Sequence, residues 1–152
     1  NTNMVIFSDH IPVLIRNVNL GGDTFSAAIV NAMNISKERA DQFLTDVGLP
    51  LDHASHPAAQ AAKFTLDTLA LPEAQRLVNA AATMHLPALE QVVITGGCAL
   101  IKNFPQYIGR ALQLPASLGD PWNKIDYPAE LKPTLDKIGP QLAVAIGLAL
   151  KL

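Results

Sequence analysis

Val92-Val93-Ile94-Thr95-Gly96-Gly97-Cys98-Ala99-Leu100, running on from Ile101 to Pro115, sets the fold class. Val92 to Ile94 are consecutive β-branched residues, the pattern of a short strand covered on both faces. Gly96 and Gly97 remove two side chains where the strand stops, so the backbone there can take positive φ and admit a close neighbour. From Phe104 the apolar residues fall at Phe104, Tyr107, Ile108, Ala111 and Leu112, which is helical spacing. A strand, a glycine turn and a helix in this order define an α/β unit, and ligands of α/β sheets sit at the carboxyl ends of strands. From the two glycines alone, a tight turn and a ligand wall are equally good readings.

The 152 residues suffice for one domain with a sizeable core. Hydrophobic residues make up 49% and charged ones only 16%, so some of the surface is expected to be covered by something else. A net charge of −2, with Lys and Arg scattered, gives no electrostatic case for nucleic acid. Cys98 is the only cysteine, which excludes an internal disulfide and fits a reducing compartment. No secretory signal is visible. No apolar run approaches the roughly 20 residues that span a bilayer. The chain lacks an initiator Met and enters a strand almost at once, which points to a piece of a longer protein.

Residues 3–20 read as a β-hairpin turning at Ser8-Asp9-His10-Ile11-Pro12, with His10 at an exposed tip. Gly21-Gly22 follows, with Asp23 or Thr24 as N-cap of a helix whose apolar side is Ala27, Ala28, Ile29 and Met33. Paired glycines before a helix serve either as a tight turn or as an anion site. Ser36 to Val47 reads as a second helix, with Ala40, Phe43 and Val47 on one face and Gly48 closing it. Asp41 lies on its polar side. His53 and His56 have an i, i+3 spacing that suits a metal, but no acid or sulfur partner is in register, so the loop-histidine reading is favoured. Ala58 to Leu71 and Pro72 to Met84 read as two alanine-rich helices, Pro72 fitting the first helical position. Leu114 to Leu118 is a candidate edge strand, Gly119 to Pro133 a loop with Trp122 as a plug beneath it, and Pro140 the opening of a final buried helix, Gln141 to Leu152.

Five blocks in this order resemble the actin-like ATPases of the pilus-assembly PilM type, relatives of the cell-division protein FtsA. They are Ile15 to Gly22 leading into a helix, Ile35 to Asp41 ending at Gly48-Leu49, Val93 to Leu100, Gly119 to Ile125 with its Asp-Pro-Trp-Asn, and Pro140 to Leu150. The resemblance runs from Met4 to the end, with Asp52 to Glu90 matching only as helical filler. It implies the carboxyl-terminal lobe of an actin-like (ribonuclease H-like) ATPase fold over residues 1–152, a mixed sheet flanked by helices, with 36–90 a helical subdomain inserted in it. It implies ATP and Mg2+ clamped between two lobes of the intact protein, with Thr95, Gly96 and Gly97 against the adenosine and α-phosphate. Gly21 and Gly22 would lie near the cleft and Asp41 on the ribose hydroxyls. Leu44 stands where relatives often carry Lys. The phosphate loop and metal-binding acids are expected upstream of Asn1, so no catalytic and no metal-binding residue is assigned here, and this piece alone is expected neither to retain the nucleotide nor to hydrolyse it. The implied role is structural: a cytoplasmic component of type IV pilus assembly, peripheral to the inner membrane, docked on the short cytoplasmic tail of a PilN-like membrane protein. The alternative is the carboxyl-terminal domain of a sugar or small-acid kinase of the same superfamily.

Overall fold

The structure is a computed structural model that describes residues 1–51, 56–123 and 125–150. The chain opens with the expected hairpin, β1 (Thr2–Ser8) antiparallel to β2 (Ile11–Val18). The turn is made by Asp9 and His10, both at positive φ, rather than by Pro12. Pro12 lies inside β2 opposite Phe7, where the register slips; a residue without an N–H is tolerated in an edge strand at such an irregularity.

Helix α1 (Gly22–Met33) begins two or three residues earlier than the acid and hydroxyl signals suggested. Gly21 is its N-cap, and Thr24 acts from within the first turn, its Oγ1 accepting from the Gly21 N–H (3.3 Å). The buried residues of α1 are Phe25, Ser26 and Ile29; of the expected apolar side Ile29 is in the core, Ala28 and Met33 are half-buried, and Ala27 is exposed. Helix α2 (Lys37–Asp46) is capped by Ser36, whose Oγ accepts from the Arg39 N–H. Its core residues are Ala40 and Leu44, while Val47 is exposed. Gly48 then takes φ +69° against the loop before the fifth helix, where a Cβ would lie 2.2 Å from the Lys102 carbonyl oxygen.

Helices α3 (Pro57–Leu69) and α4 (Leu71–Thr83) follow, hinged at Ala70, so Pro72 occupies the second helical position. Then come β3 (Val92–Ile94), a 3-10 turn over Gly97–Leu100, α5 (Phe104–Leu112) and β4 (Ala116–Leu118), the last pairing in parallel with β3. The expected mixed sheet is therefore present as two separate two-stranded sheets. Nor is β3 covered on both faces. Val92 and Ile94 pack on the main core, but Val93 is 56% exposed.

That core joins Val18 and Leu20 after the hairpin, Phe25 and Ile29 of α1, Ala40 and Leu44 of α2, Ala58, Ala62 and Leu66 of α3, and Phe104 and Ile108 of α5. A smaller cluster of Ile6, Leu77 and Ala81 seats the hairpin on α4. Across the helices, Asp67 accepts hydrogen bonds from Lys63 and from the Tyr107 hydroxyl, clasping α3 to α5.

The final helix differs most from expectation. Helix α6 runs from Lys132 to Ala149, with Pro140 inside it. A proline normally forces the preceding residue out of the helical region through a clash with its Cβ. Here that residue is Gly139, which has none. The helix is also not buried: Gly139 and Pro140 are its only buried residues, and Leu142, Val144 and Leu148 face outward.

The Gly48 contact carries a direct test. Gly48→Ala adds a Cβ into the Lys102 carbonyl and places it at positive φ, and is expected to destabilise the protein by more than about 2 kcal/mol in urea unfolding. Gly147→Ala, where nothing lies within 4 Å of the added Cβ, is expected to be neutral or mildly stabilising.

Candidate functional site

The glycine turn after β3 is held by one acceptor. The Pro140 carbonyl accepts from the Gly96 N–H (2.7 Å) and from the Thr95 hydroxyl (2.9 Å). Gly96 sits at φ +90° with extended ψ, a conformation favouring glycine. Gly97 starts the 3-10 turn, and a Cβ on Gly96 or Gly97 would meet nothing within 4 Å. The turn thus presents bare backbone to open space on one side and is fastened to α6 on the other.

The second glycine pair opens α1. Ser26, 2% exposed, donates to the Gly22 carbonyl (3.0 Å) and is bonded through the same hydroxyl to Asp41 on α2. Gly22 and Asp41 are thereby linked through one buried hydroxyl, a connection that spacing alone did not reveal. Gly22 also has open space where a Cβ would stand. Beside it, Lys37 donates to Asp23 (2.6 Å). This partner lowers the Asp23 carboxyl and raises the Lys37 ammonium from their ordinary values. The pair is fully exposed, and water screens its worth. Leu44 is buried in the core.

Phe25, one turn into α1, meets Phe104, the first residue of α5, edge-on at 6.2 Å. The helices leaving the two glycine turns are therefore packed on each other. Even so, the described residues do not place all six candidates around one cavity. A cavity of about 820 Å3 beside β1 and β3 touches Thr95 but none of Gly21, Gly22, Asp41, Gly96 or Gly97.

Trp122 packs against α6. Its Nε1–H donates to the Leu135 carbonyl (2.9 Å), and its ring lies edge-on to Tyr127 and over Gly139. Of the two loop histidines, His53 lies outside the described residues. His56 is the N-cap of α3, its Nδ1 accepting from the Ala58 N–H (3.3 Å), and it stacks on Phe43. Among the described residues no cluster of His, Cys, Asp and Glu is fit to hold a metal ion. Burial pushes the Cys98 thiol up, away from the thiolate a nucleophile needs. No helix of the described residues is long and apolar enough to cross a membrane.

A mixed α/β chain with two glycine-opened helical turns docked through one aromatic contact is the class of protein that the geometry defines. The family model described as "Type IV pilus assembly protein PilM" matches residues 1–152, and the chain belongs to that family. The fold is similar to a solved structure, a "PilM-PilN type IV pilus biogenesis complex", with a TM-score of 0.81 and 22% sequence identity. The similarity covers 98% of this chain and 42% of that one, so the chain spans less than half the length of the chain it matches. No curated protein sequence matches it.

Two outcomes test the site's construction. Gly139→Ala would put a Cβ 2.6 Å from the Trp122 Nε1. The indole must then leave the Leu135 carbonyl, and the emission of this single tryptophan is expected to shift to longer wavelength, with a loss of about 1–3 kcal/mol of stability. Unchanged emission would contradict the packing. Cys98, with its raised thiol pKa, is expected to react with iodoacetamide at pH 8 more slowly than free cysteine, because less of it is thiolate, and to match free cysteine once urea unfolds the protein.

Proposed function

We propose that the chain is the second lobe of an actin-like ATPase fold, with 36–90 as its helical subdomain, and that in the longer protein it forms one wall of a cleft for ATP and Mg2+. The observation that carries this reading is the open backbone at Gly22, Gly96 and Gly97, where among the described residues nothing beyond the adjoining chain comes within 4 Å of an added Cβ. Bare glycine lets a flat purine or a phosphate approach the main chain, and a helix start such as that of α1 favours negative charge. In this reading Thr95, Gly96 and Gly97 back the adenosine and α-phosphate. Gly21 and Gly22 approach the phosphates, and Asp41, tied to α1 through Ser26, receives the ribose hydroxyls. The acids that hold Mg2+ belong to the other lobe.

Membership of the PilM family supports a role in type IV pilus assembly. We place the intact protein in the cytoplasm, peripheral to the inner membrane, bound to the short cytoplasmic tail of a PilN-like protein. The similar solved structure is a PilM-PilN complex. ATP would order the two lobes rather than drive rapid turnover.

The test is nucleotide titration of the full-length protein with ATP and Mg2+. Gly97→Val and Asp41→Asn are each expected to weaken binding about tenfold or more, about 1.4 kcal/mol, without lowering the melting temperature of the nucleotide-free protein. Gly97 has open space for the larger side chain. Equal affinity in both variants would remove these residues from the site. Residues 1–152 alone are expected to show no ATP turnover, and a measurable rate would refute the division of labour between lobes.

A further inference from the structure

Ser26 and Thr65 are the two buried polar side chains among the described residues. Thr65 bonds back to the Ala61 carbonyl of its own helix. Ser26 reaches a second helix: besides the Gly22 carbonyl (3.0 Å), its hydroxyl bonds to Oδ1 of Asp41 on α2. A hydroxyl carries one hydrogen, and both partners are acceptors, so the two bonds alternate. An ionised carboxylate is the stronger acceptor, and the Gly22 carbonyl keeps the hydroxyl satisfied whenever Asp41 does not. Both helices are fixed where they carry this bond. Phe25 and Ile29 on either side of Ser26, and Ala40 next to Asp41, have no exposed surface. The Ser26 oxygen is therefore a rigid anchor, and Asp41, exposed on α2, is the movable partner. The described residues give its Oδ2 no hydrogen bond. Lys37, one turn before Asp41 on α2, feels its charge. A lysine and an acid four residues apart on a helix pair across its face, so an unheld Asp41 has an alternative partner.

We propose that Ser26 is a positioning residue of the nucleotide cleft: by holding Oδ1 of Asp41 it keeps the carboxylate off Lys37 and leaves Oδ2 to accept a ribose hydroxyl. The inference rests on the cleft reading above and names the residue that sets that cleft's preference for ribonucleotides. Ser26 is 2% exposed and acts through Asp41 rather than on the nucleotide. Its loss therefore changes the affinity only of ligands that carry the hydroxyl Asp41 binds. A carboxylate whose rotamer is fixed beforehand removes that ordering cost from association. The same oxygen borders Gly22 at the start of α1, so the ribose and phosphate contacts of this reading are placed from a single anchor.

Titration of the full-length protein in the presence of Mg2+ tests it, with ATP and with 2′,3′-dideoxy-ATP, which keeps the base and phosphates and lacks both ribose hydroxyls. The unaltered protein is expected to bind ATP about tenfold or more tighter than the dideoxy nucleotide. Ser26→Ala is expected to weaken ATP roughly threefold to tenfold and to leave the dideoxy affinity unchanged. Ser26→Cys, close in volume and with only a weak donor in place of the hydroxyl, is expected to do the same in smaller measure, and serves should the alanine variant fail to fold. Adding Ser26→Ala to Asp41→Asn is expected to weaken ATP no further than Asp41→Asn alone, since the carboxylate that Ser26 holds is gone. Equal weakening of both nucleotides in the Ser26 variants, or additive losses in the double variant, would overturn the positioning role. A preference for ATP lost in Asp41→Asn but intact in both Ser26 variants would overturn it and leave the cleft reading standing. Binding of neither nucleotide by the full-length protein would remove the cleft reading and this inference together.

Discussion

The edge-on contact of Phe25 with Phe104 is the constraint on which the arrangement of this protein depends. Phe25 is wholly buried, and its ring belongs to the first turns of α1, directly after Gly21-Gly22. Phe104 begins α5, seven residues beyond Gly97 and just past the 3-10 turn that Gly97 starts. One aromatic pair therefore sets how the two glycine turns sit relative to each other. Around it close Leu20, Ile29, Leu66 and Ile108, so the register of the hairpin, the helices and the glycine turns is decided in the same place. Interiors packed this tightly transmit small displacements rather than absorb them. A change of one methylene near Phe25 would thus be felt at both turns.

A second constraint acts from the opposite side. Pro140 has no N–H to continue the α6 ladder, yet its carbonyl receives two donors from Thr95 and Gly96. The tertiary bond to the glycine turn, the missing Cβ of Gly139 and the indole of Trp122 on the Leu135 carbonyl all occur within about two turns of α6. The proline that reads as a helix start is therefore a docking point in a helix that has already begun. The turn is clamped between α5, packed on the core, and α6, packed on Trp122.

These two constraints explain which parts of the molecule were legible in its sequence. Local chemistry was readable wherever one residue type has one job: Ser36 as a cap, Gly48 as a positive-φ stop, Val92 to Ile94 as a strand ended by glycines. On α1, Ile29 lies on the expected side, but the helix starts before Asp23 and so carries Phe25 and Ser26 into the core as well. A glycine N-cap carries no side-chain signal, so Phe25 was assigned no role. The Ser26 link between Gly22 and Asp41 joins residues on different helices, and spacing within either helix is silent about it. Likewise Pro140 and Thr95 lie far apart in the chain, and no periodicity encodes that they meet.

The same comparison accounts for the apolar surplus of the composition. Val5, Phe7 and Ile15 project from the outer side of the hairpin, with Phe7 61% and Ile15 67% exposed. Val93 projects from β3, and Leu142, Val144 and Leu148 from α6. Their counterparts one residue away, Met4, Ile6, Val92 and Ile94, pack on the helices. Alternation of this kind is what a strand shows when one face is covered and the other is not, yet here both faces carry apolar side chains. A one-sided antiparallel sheet normally turns polar residues outward. Residues 92–94 and the hairpin thus have the composition of strands covered on both faces, and the apolar flank of α6 offers a further surface of the same character. The reading of Val92-Val93-Ile94 as a doubly covered strand fits what the side chains require, while the described residues supply only one of the two covers.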